Sequence, residues 1–349
     1  MPESTRESSK SPATGRFTTR RPCSSLRLGI AQVHPKLGNL PANLDNLAAF
    51  VEQAVAANVD LLVFPELAIT GYPAGPWYSS ASIGPFSPEF ARLKELSHRV
   101  PLIVGLIEET ENIEFFNSAV YLSAGRVQHL HRKIYLPNYR HFDERRYFKA
   151  GRSVSAFETP WCRMGMLICG DCWHISLPYL LAHDGADVIV VLAASAMMGM
   201  TEAISTRDAW ERMNRCYALT LSSFVVFANL VGETDGIRCW GSSHVVIPDG
   251  QILNQAGSDQ EELLVTTLDL NQLRQQRLIL PFRRDDSLSL TTELGREVLL
   301  RKNRRANGLS GAHPSPPIED SAAEPRITSA EISDLAFGDS DHPDSRSEI

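Results

Sequence analysis

Apolar positions alternate along residues 26–270 between two spacings. LRLGIAQV (26–33) places apolar residues at every second position and predicts a strand, whereas NLDNLAAFVEQAVAANV (43–59) sets Leu44, Leu47, Phe50, Val51 and Val55 at helical spacing. DLLVFPEL follows as an apolar strand ending at Pro65-Glu66. Ser87-Pro88-Glu89 opens a helix, with a capping serine and a first-turn proline, that runs to about Arg99. PLIVGLIEE (101–109) is the next strand, and FFNSAVYLSAGRVQHLHRKIY holds two strands joined at Ser123-Ala124-Gly125. The second half continues with RMGMLIC (163–169) as a strand, Trp173–His183 as a helix, ADVIVVLAA as a strand and Ser205–Leu221 as a helix. SFVVFANL, a strand pair around Pro248-Asp249-Gly250, and LLVTTLDL close the series. Continuous apolar runs such as VIVVLA belong to strands covered on both faces. Strands alternating with helices predict an α/β protein with helices outside the sheet, and the hairpins at Gly125 and Asp249-Gly250 make the sheet mixed.

The two ends break this pattern. Residues 1–25 lack apolar periodicity and predict a disordered N-terminal arm. From 306 to 349 Pro, Ser, Gly and acids predict a disordered acidic tail, leaving one folded unit over 26–305. The formal net charge of the 349-residue chain is −7, and the tail alone, with nine acidic and two basic residues, matches that figure. Residues 1–27 are at +4 and the middle at −4. No central basic patch invites nucleic acid. No apolar run is long enough for a transmembrane helix, and no apolar stretch follows the N-terminal bases as in a secretory signal. Ser, Thr and Arg in the arm leave an organelle-targeting segment open beside a plain disordered arm. Six cysteines without a signal read as reduced thiols of a cytoplasmic protein rather than a disulfide framework.

Strand ends are where α/β folds present reactive side chains. Glu66 closes DLLVFPE, Lys133 closes RVQHLHRK, and Cys169 closes RMGMLIC. A thiol with an ordinary pKa of about 8.5 needs a base, which a carboxylate in an apolar pocket supplies. A lysine supplies positive charge for an oxyanion. Each has a plainer alternative: a helix cap or ion pair for Glu66, surface charge for Lys133, a small buried filler for Cys169.

The segments FPELAITGY, HRKIYLPNY, FDERRYF, MLICGDCW and WGSSHVVIPDG, in this order, resemble the nitrilase superfamily of carbon–nitrogen hydrolases. The likeness is strongest to the glutamine-amidase domain of glutamine-dependent NAD synthetases and runs from about Leu28 to Asp269. It implies a four-layer α-β-β-α nitrilase-type sandwich with mixed sheets, assembled as a homodimer or higher homo-oligomer. It maps the catalytic set onto Glu66, Lys133 and Cys169, with Glu144 of FDERRYF as a second glutamate that orients the lysine and substrate. A surface ion pair with Arg145 or Arg146 is the alternative for Glu144. Tyr139 matches a pocket tyrosine and Ser195 a serine near the substrate. The Gly170 N–H joins Lys133 at the oxyanion, and Trp173 lines the pocket or packs in the core. No cofactor is implied.

Other motifs compete for the same residues. Cys169-Gly-Asp-Cys172 is a C-x-x-C, but no second ligand pair supports zinc, and Trp173 stands where a c-type haem needs histidine. Phosphate-binding glycine loops are absent, and after Asp269 too little chain follows for a synthetase domain, so a free-standing amidase is expected. The sequence departs from the glutamine-amidase pattern after Ser195. Ser195-Ala196-Met197-Met198 stands where that pattern has a Ser-Pro-aromatic run, Gly199-Met200-Thr201-Glu202 replaces basic residues, and Met197, Met198 and Met200 form an apolar, adaptable wall or pack in the core. A buried carboxylate without a cation is costly, so the pocket is expected to be less polar than one for glutamine. The expected activity is cleavage of a small or medium carboxamide to acid and ammonia through a thioester. A nitrilase, a non-catalytic binding protein on the same fold, and a thiol redox protein using Cys169 and Cys172 are the alternatives.

Overall fold

The computed structural model describes residues 23–72, 75–140, 142–197 and 204–306. The first half of the chain runs β1 (Ser25–Gln32), α1 (Leu40–Ala56), β2 (Leu61–Val63), α2 (Pro88–Leu96), β3 (Leu102–Glu109), β4 (Phe115–Ser123) and β5 (Arg126–Arg132). The second half runs β6 (Phe157–Glu158), β7 (Arg163–Ile168), α3 (Ser176–His183), β8 (Val188–Ala193), α4 (Thr206–Leu221), β9 (Phe224–Asn229), β10 (Val231–Thr234) and β11 (Ile237–Trp240). It continues with β12 (His244–Val246), β13 (Ile252–Gln255), β14 (Glu262–Asp269), α5 (Asn271–Ile279), α6 (Phe282–Asp285) and α7 (Leu288–Ala306).

These strands form two six-stranded sheets, ordered β14-β1-β2-β3-β4-β5 and β13-β12-β9-β8-β7-β6, and a β10-β11 ribbon. Both sheets are mixed. β1, β2 and β3 are parallel, as are β7, β8 and β9, while β14, β4, β5, β6, β12 and β13 add antiparallel pairs.

Strand parity sorts the side chains into three apolar layers. Leu28, Ile30, Leu61 and Val63 of the first sheet meet Met164, Met166, Val190 and Val226 of the second, so the sheets pack face to face. The opposite face of the first sheet, with Leu62, Val104 and Val120, receives Leu44, Leu47, Phe50 and Val51 of α1. The opposite face of the second, with Leu167, Val191 and Phe227, receives Leu177 and Leu181 of α3 and Trp210 and Tyr217 of α4. Three apolar layers separate four layers of structure in the order α-β-β-α.

Local chemistry explains where elements depart from the sequence expectation. α1 starts at Leu40 because the Asn39 side chain accepts from the Ala42 N–H, and proline is tolerated in the first turn. It ends at Ala56, where Asn58 turns the chain with φ of 53°. The helix expected from Trp173 begins only at Ser176. Residues Cys169–Trp173 wind as a separate 3₁₀ turn, and His174 is extended (φ −103°, ψ 95°). The short strands β6, β10 and β11 and the helices α5–α7 lie outside the elements expected from the sequence. Residues 1–22 and 307–349, most of the expected arm and tail, lie outside the described residues.

The chain divides into two compact units between Leu288 and Ser289. In the second, α7 exposes Leu290, Leu294, Val298, Leu299 and Leu300. No helix among the described residues is long and apolar enough to cross a membrane.

Candidate active site

Glu66 lies three residues beyond β2, where Pro65 cannot continue the ladder. Its side chain is buried against β3, and Gly105 of that strand makes the approach possible: a Cβ there would stand 2.5 Å from the Pro65 carbonyl oxygen and 2.8 Å from the Glu66 Cα. Lys133 follows β5 directly and is fully buried. Its Nζ donates to Glu66 Oε1 and to Glu144 Oε1, each at 2.7 Å. Glu66 also accepts from Asn117 Nδ2 at 2.7 Å on Oε1 and from the Ala194 N–H at 2.8 Å on Oε2. Glu144 accepts from the Tyr72 hydroxyl at 3.1 Å on Oε1, while its buried Oε2 has no hydrogen-bond partner among the described residues.

A cation between two carboxylates, all out of water, sets the electrostatics. Burial opposes the charge on Lys133, but Glu144, Glu66 and the Cys169 thiol outweigh it and hold the ammonium above its ordinary range. Burial pushes the Glu144 carboxyl up to about 7; Lys133 pulls it down and Glu66 pushes it further up. Burial, then Glu144, Glu66 and Cys169, raise the Tyr72 phenol, so that it remains a hydrogen-bond donor.

Cys169 follows β7 at once and adopts φ of 42°, a left-handed conformation rare outside glycine that marks a strained turn. The residue is half-buried. Burial raises its thiol well above the ordinary range, Glu66 and Glu144 add to this, and Lys133 and the Ala194 N–H oppose it. The thiol therefore stays protonated until a base removes its proton. Gly170 comes next, where a Cβ would meet the Tyr135 carbonyl oxygen at 2.7 Å. Cys172 is buried and its thiol is raised above the useful range by burial and Asp171; no disulfide links it to Cys169.

Asp171 was not singled out by the sequence, yet it ties the lysine and cysteine segments together. Its fully buried carboxylate accepts from the Ile134 and Tyr135 N–H groups at 2.9 Å, from the Ile168 N–H at 3.3 Å, and pairs with His131 Nε2 at 2.8 Å. Residues on both sides of Lys133 and of Cys169 thus share one side chain. Asn117, Tyr72 and Ala194 were likewise missed. A buried Asp two residues after a reactive Cys was the one available signal, and it has no helical or strand period to reveal it.

Ser195, expected near the substrate, is buried; its hydroxyl oxygen accepts from the indoles of Trp210 (2.9 Å) and Trp240 (3.1 Å). Its N–H donates to Asn229 Oδ1 at 2.8 Å, and Asn229 in turn bonds Gly241 and Ser243. The WGSSH segment therefore braces the loop whose Ala194 N–H holds Glu66. Tyr139, Gly170 and Trp173 line one cavity of about 290 Å³, with Tyr135, Arg145 and His174 also in its wall. Tyr139 is 61% exposed, and Trp173 packs edge-on against Trp210. Met197 is exposed, and Met198, Gly199, Met200, Thr201 and Glu202 lie outside the described residues. Among the described residues there is no group of three or more His, Cys, Asp or Glu suited to a metal ion.

The carbon-nitrogen hydrolase family profile matches residues 27–278. A glutamine-dependent NAD(+) synthetase from Acinetobacter baylyi is 31% identical over 260 residues, covering 73% of this chain but 46% of that protein. The chain thus spans about half the length of this relative. An omega-amidase from Danio rerio is 29% identical over 283 residues, covering 77% of this chain and 98% of that one. Among solved structures, a carbon-nitrogen hydrolase from Helicobacter pylori G27 superposes with a TM-score of 0.70 at 26% identity, covering 78% of this chain and 98% of the other. With the four-layer sandwich and the Glu66–Lys133–Glu144 cluster beside Cys169, these matches establish that the chain belongs to the carbon-nitrogen hydrolase family of the nitrilase superfamily.

Proposed function

We propose that the protein is a cysteine-dependent amidase that cleaves a small or medium carboxamide to acid and ammonia through a thioester. The observation that carries this reading is the Lys133 ammonium held at 2.7 Å from both Glu66 and Glu144 beside a strained cysteine turn. A carboxylate has about four lone-pair positions. Lys133, Asn117 and Ala194 occupy three on Glu66, which leaves one on Oε2 to accept the Cys169 proton. The sulfur attacks the amide carbonyl as Glu66 takes that proton. The oxyanion receives the one N–H of Lys133 not engaged by the two glutamates, together with the Gly170 N–H. Glu66 then delivers the proton to the departing nitrogen, ammonia leaves, and a thioester remains on Cys169. Water, deprotonated by Glu66, opens the thioester to the acid and restores the thiol.

Glu144 keeps Lys133 aimed and charged. Tyr72 and Lys133 both donate to its Oε1, leaving Oε2 for the amide NH₂ or for a proton of its own. Relatives described as an omega-amidase and as a probable nitrilase support carbon–nitrogen bond cleavage.

The test is incubation of the purified chain with matched amides and nitriles, following ammonia release and the intact mass of an acyl adduct on Cys169. Turnover of amides with an adduct lost in Cys169→Ala is expected. Turnover of the nitriles alone favours the nitrilase reading. A flat ammonia signal across the panel, or full activity in Cys169→Ala, overturns hydrolysis by this cysteine.

A further inference from the structure

The cavity that opens beside Gly170 holds a cation with no acidic partner among the described residues. Its described lining includes Tyr135, Tyr139, Arg145, Gly170, Trp173 and His174, and no Asp or Glu is among the described lining residues. Gly170 is the neighbour of Cys169, and the charge of Cys169 acts on the Tyr139 phenol, so this cavity adjoins the reacting sulfur.

Arg145 is set there by the same turn that sets Glu144. The two are consecutive in a 3₁₀ turn, Glu144–Arg146, so their side chains leave in different directions. Glu144 goes inward, 2% exposed, to Lys133, and Arg145 goes to the cavity wall. The turn is pinned by the Glu144 N–H to the Pro137 carbonyl (3.2 Å) and by the Tyr147 N–H to the Glu144 carbonyl (3.0 Å). Arg145 is exposed, and its Nε donates to the Leu136 carbonyl at 3.3 Å, which draws one edge of the guanidinium to the wall. Its two Nη groups have no protein partner among the described residues. Arg132, by contrast, forks onto Glu108 through Nε and Nη2. A guanidinium fork with free Nη groups at the edge of a small pocket matches one ligand group best, a carboxylate held by two parallel hydrogen bonds. The stacked Tyr135–His174 pair and Trp173 provide flat apolar surface for the carbon chain between that carboxylate and the amide.

We infer that Arg145 is the counter-ion for a carboxylate at the far end of the substrate, so that the site takes carboxamides carrying a negative charge away from the scissile amide. This deepens the proposed amidase reading and rests on it for turnover. It also revises the expectation of a pocket less polar than one for glutamine: the cation absent after Ser195 is supplied from the Glu144 turn.

The experiment compares two amides of equal chain length, one ending in carboxylate and one in methyl, on the wild-type chain and on Arg145→Gln, Arg145→Lys and Arg145→Glu. The anionic amide is expected to be preferred by about 10–100-fold in kcat/KM, as charged hydrogen bonds are worth. Added salt should reduce this preference, because the guanidinium is solvent-accessible. The ratio should collapse toward one in Arg145→Gln, chiefly through KM, recover in part in Arg145→Lys, and invert for an amine-terminated amide in Arg145→Glu. A second readout needs no turnover: the rate of Cys169 alkylation by 4-(iodoacetamido)butanoate, whose carboxylate lies at the far end of the reagent, relative to N-butyl iodoacetamide should fall in Arg145→Gln. Equal use of both amides, with an alkylation ratio indifferent to Arg145, overturns the inference. An alkylation bias that depends on Arg145 with no amide hydrolysed supports carboxylate recognition and instead overturns the amidase reading.

Discussion

The two sides of the site are built on opposite principles. On the inner side, Glu66, Lys133 and Glu144 are at most 2% exposed and Lys133 Nζ lies 2.7 Å from each glutamate, braced by Asn117, Tyr72 and the Ala194 N–H. On the outer side, Tyr139 is 61% and Trp173 40% exposed, and the Arg145 Nη groups have no partner among the described residues. Buried charges persist only when paired, because desolvation of an unpaired ion costs several kcal/mol. That requirement leaves the inner geometry a single solution. The outer wall has no such requirement, so its residues are free to answer to the substrate. The proposed reaction chemistry therefore belongs to a buried cluster just beyond the strand ends, and the proposed selectivity to the exposed wall beside it.

Breaking the inner side should produce the largest effects. Cys169→Ala is expected to lower ammonia release by about 10⁴-fold or more while circular dichroism stays native. Lys133→Gln should follow, costing about 10²–10³-fold in kcat/KM. It leaves Glu66 and Glu144 facing each other without a cation, so urea unfolding should show a loss of about 3–5 kcal/mol. Asp171→Asn probes the link between the two strand-end segments. An amide cannot accept from Ile134, Tyr135, Ile168 and His131 at once, and a shift of about 1 Å between Lys133 and Cys169 should cost about 10²-fold in kcat with little change in KM.

Smaller effects sharpen the electrostatic half of the contrast. Glu144→Gln removes a charge that raises the Cys169 thiol, so the midpoint of its alkylation by iodoacetamide should move to lower pH. The same variant tests stability against pH. The Glu144 carboxyl is raised from 4.5 to about 7 on folding, so the stability it contributes is complete below pH 4.5 and is lost as pH rises through about 7. Thermal melts across that window should fall less steeply in Glu144→Gln. Smallest of all, Trp173→Ala on the outer wall should alter KM by a few-fold and leave kcat nearly unchanged, since the ring touches no group of the inner cluster.

Much of this was legible beforehand for definite reasons. The alternation of Leu28, Ile30 and the VIVVLA run disclosed strands, because a pleated strand repeats every two residues. Ser87-Pro88-Glu89 and Ser205 disclosed helix starts, and both serines do accept the third residue's N–H. Glu66, Lys133 and Cys169 were legible as candidates through their places at or beyond strand ends, and Glu144 through motif order alone. Asp171 and Asn117 were not, nor was the engagement of the Ser195 hydroxyl by two indoles, because each of these depends on a partner far along the chain.

The sequence by itself determined the local periods, the caps and turns, and which side chains carry reactive groups, since these are properties of neighbouring residues. Only the tertiary structure decided that Glu66 would meet Lys133 67 residues later and the Ala194 N–H 128 residues later. It also decided that Arg145 would face a cavity while Glu144 beside it turned inward. Such hydrogen bonds and burial form only when distant strands align in one sheet or the two sheets pack together, and no window of the chain contains both partners.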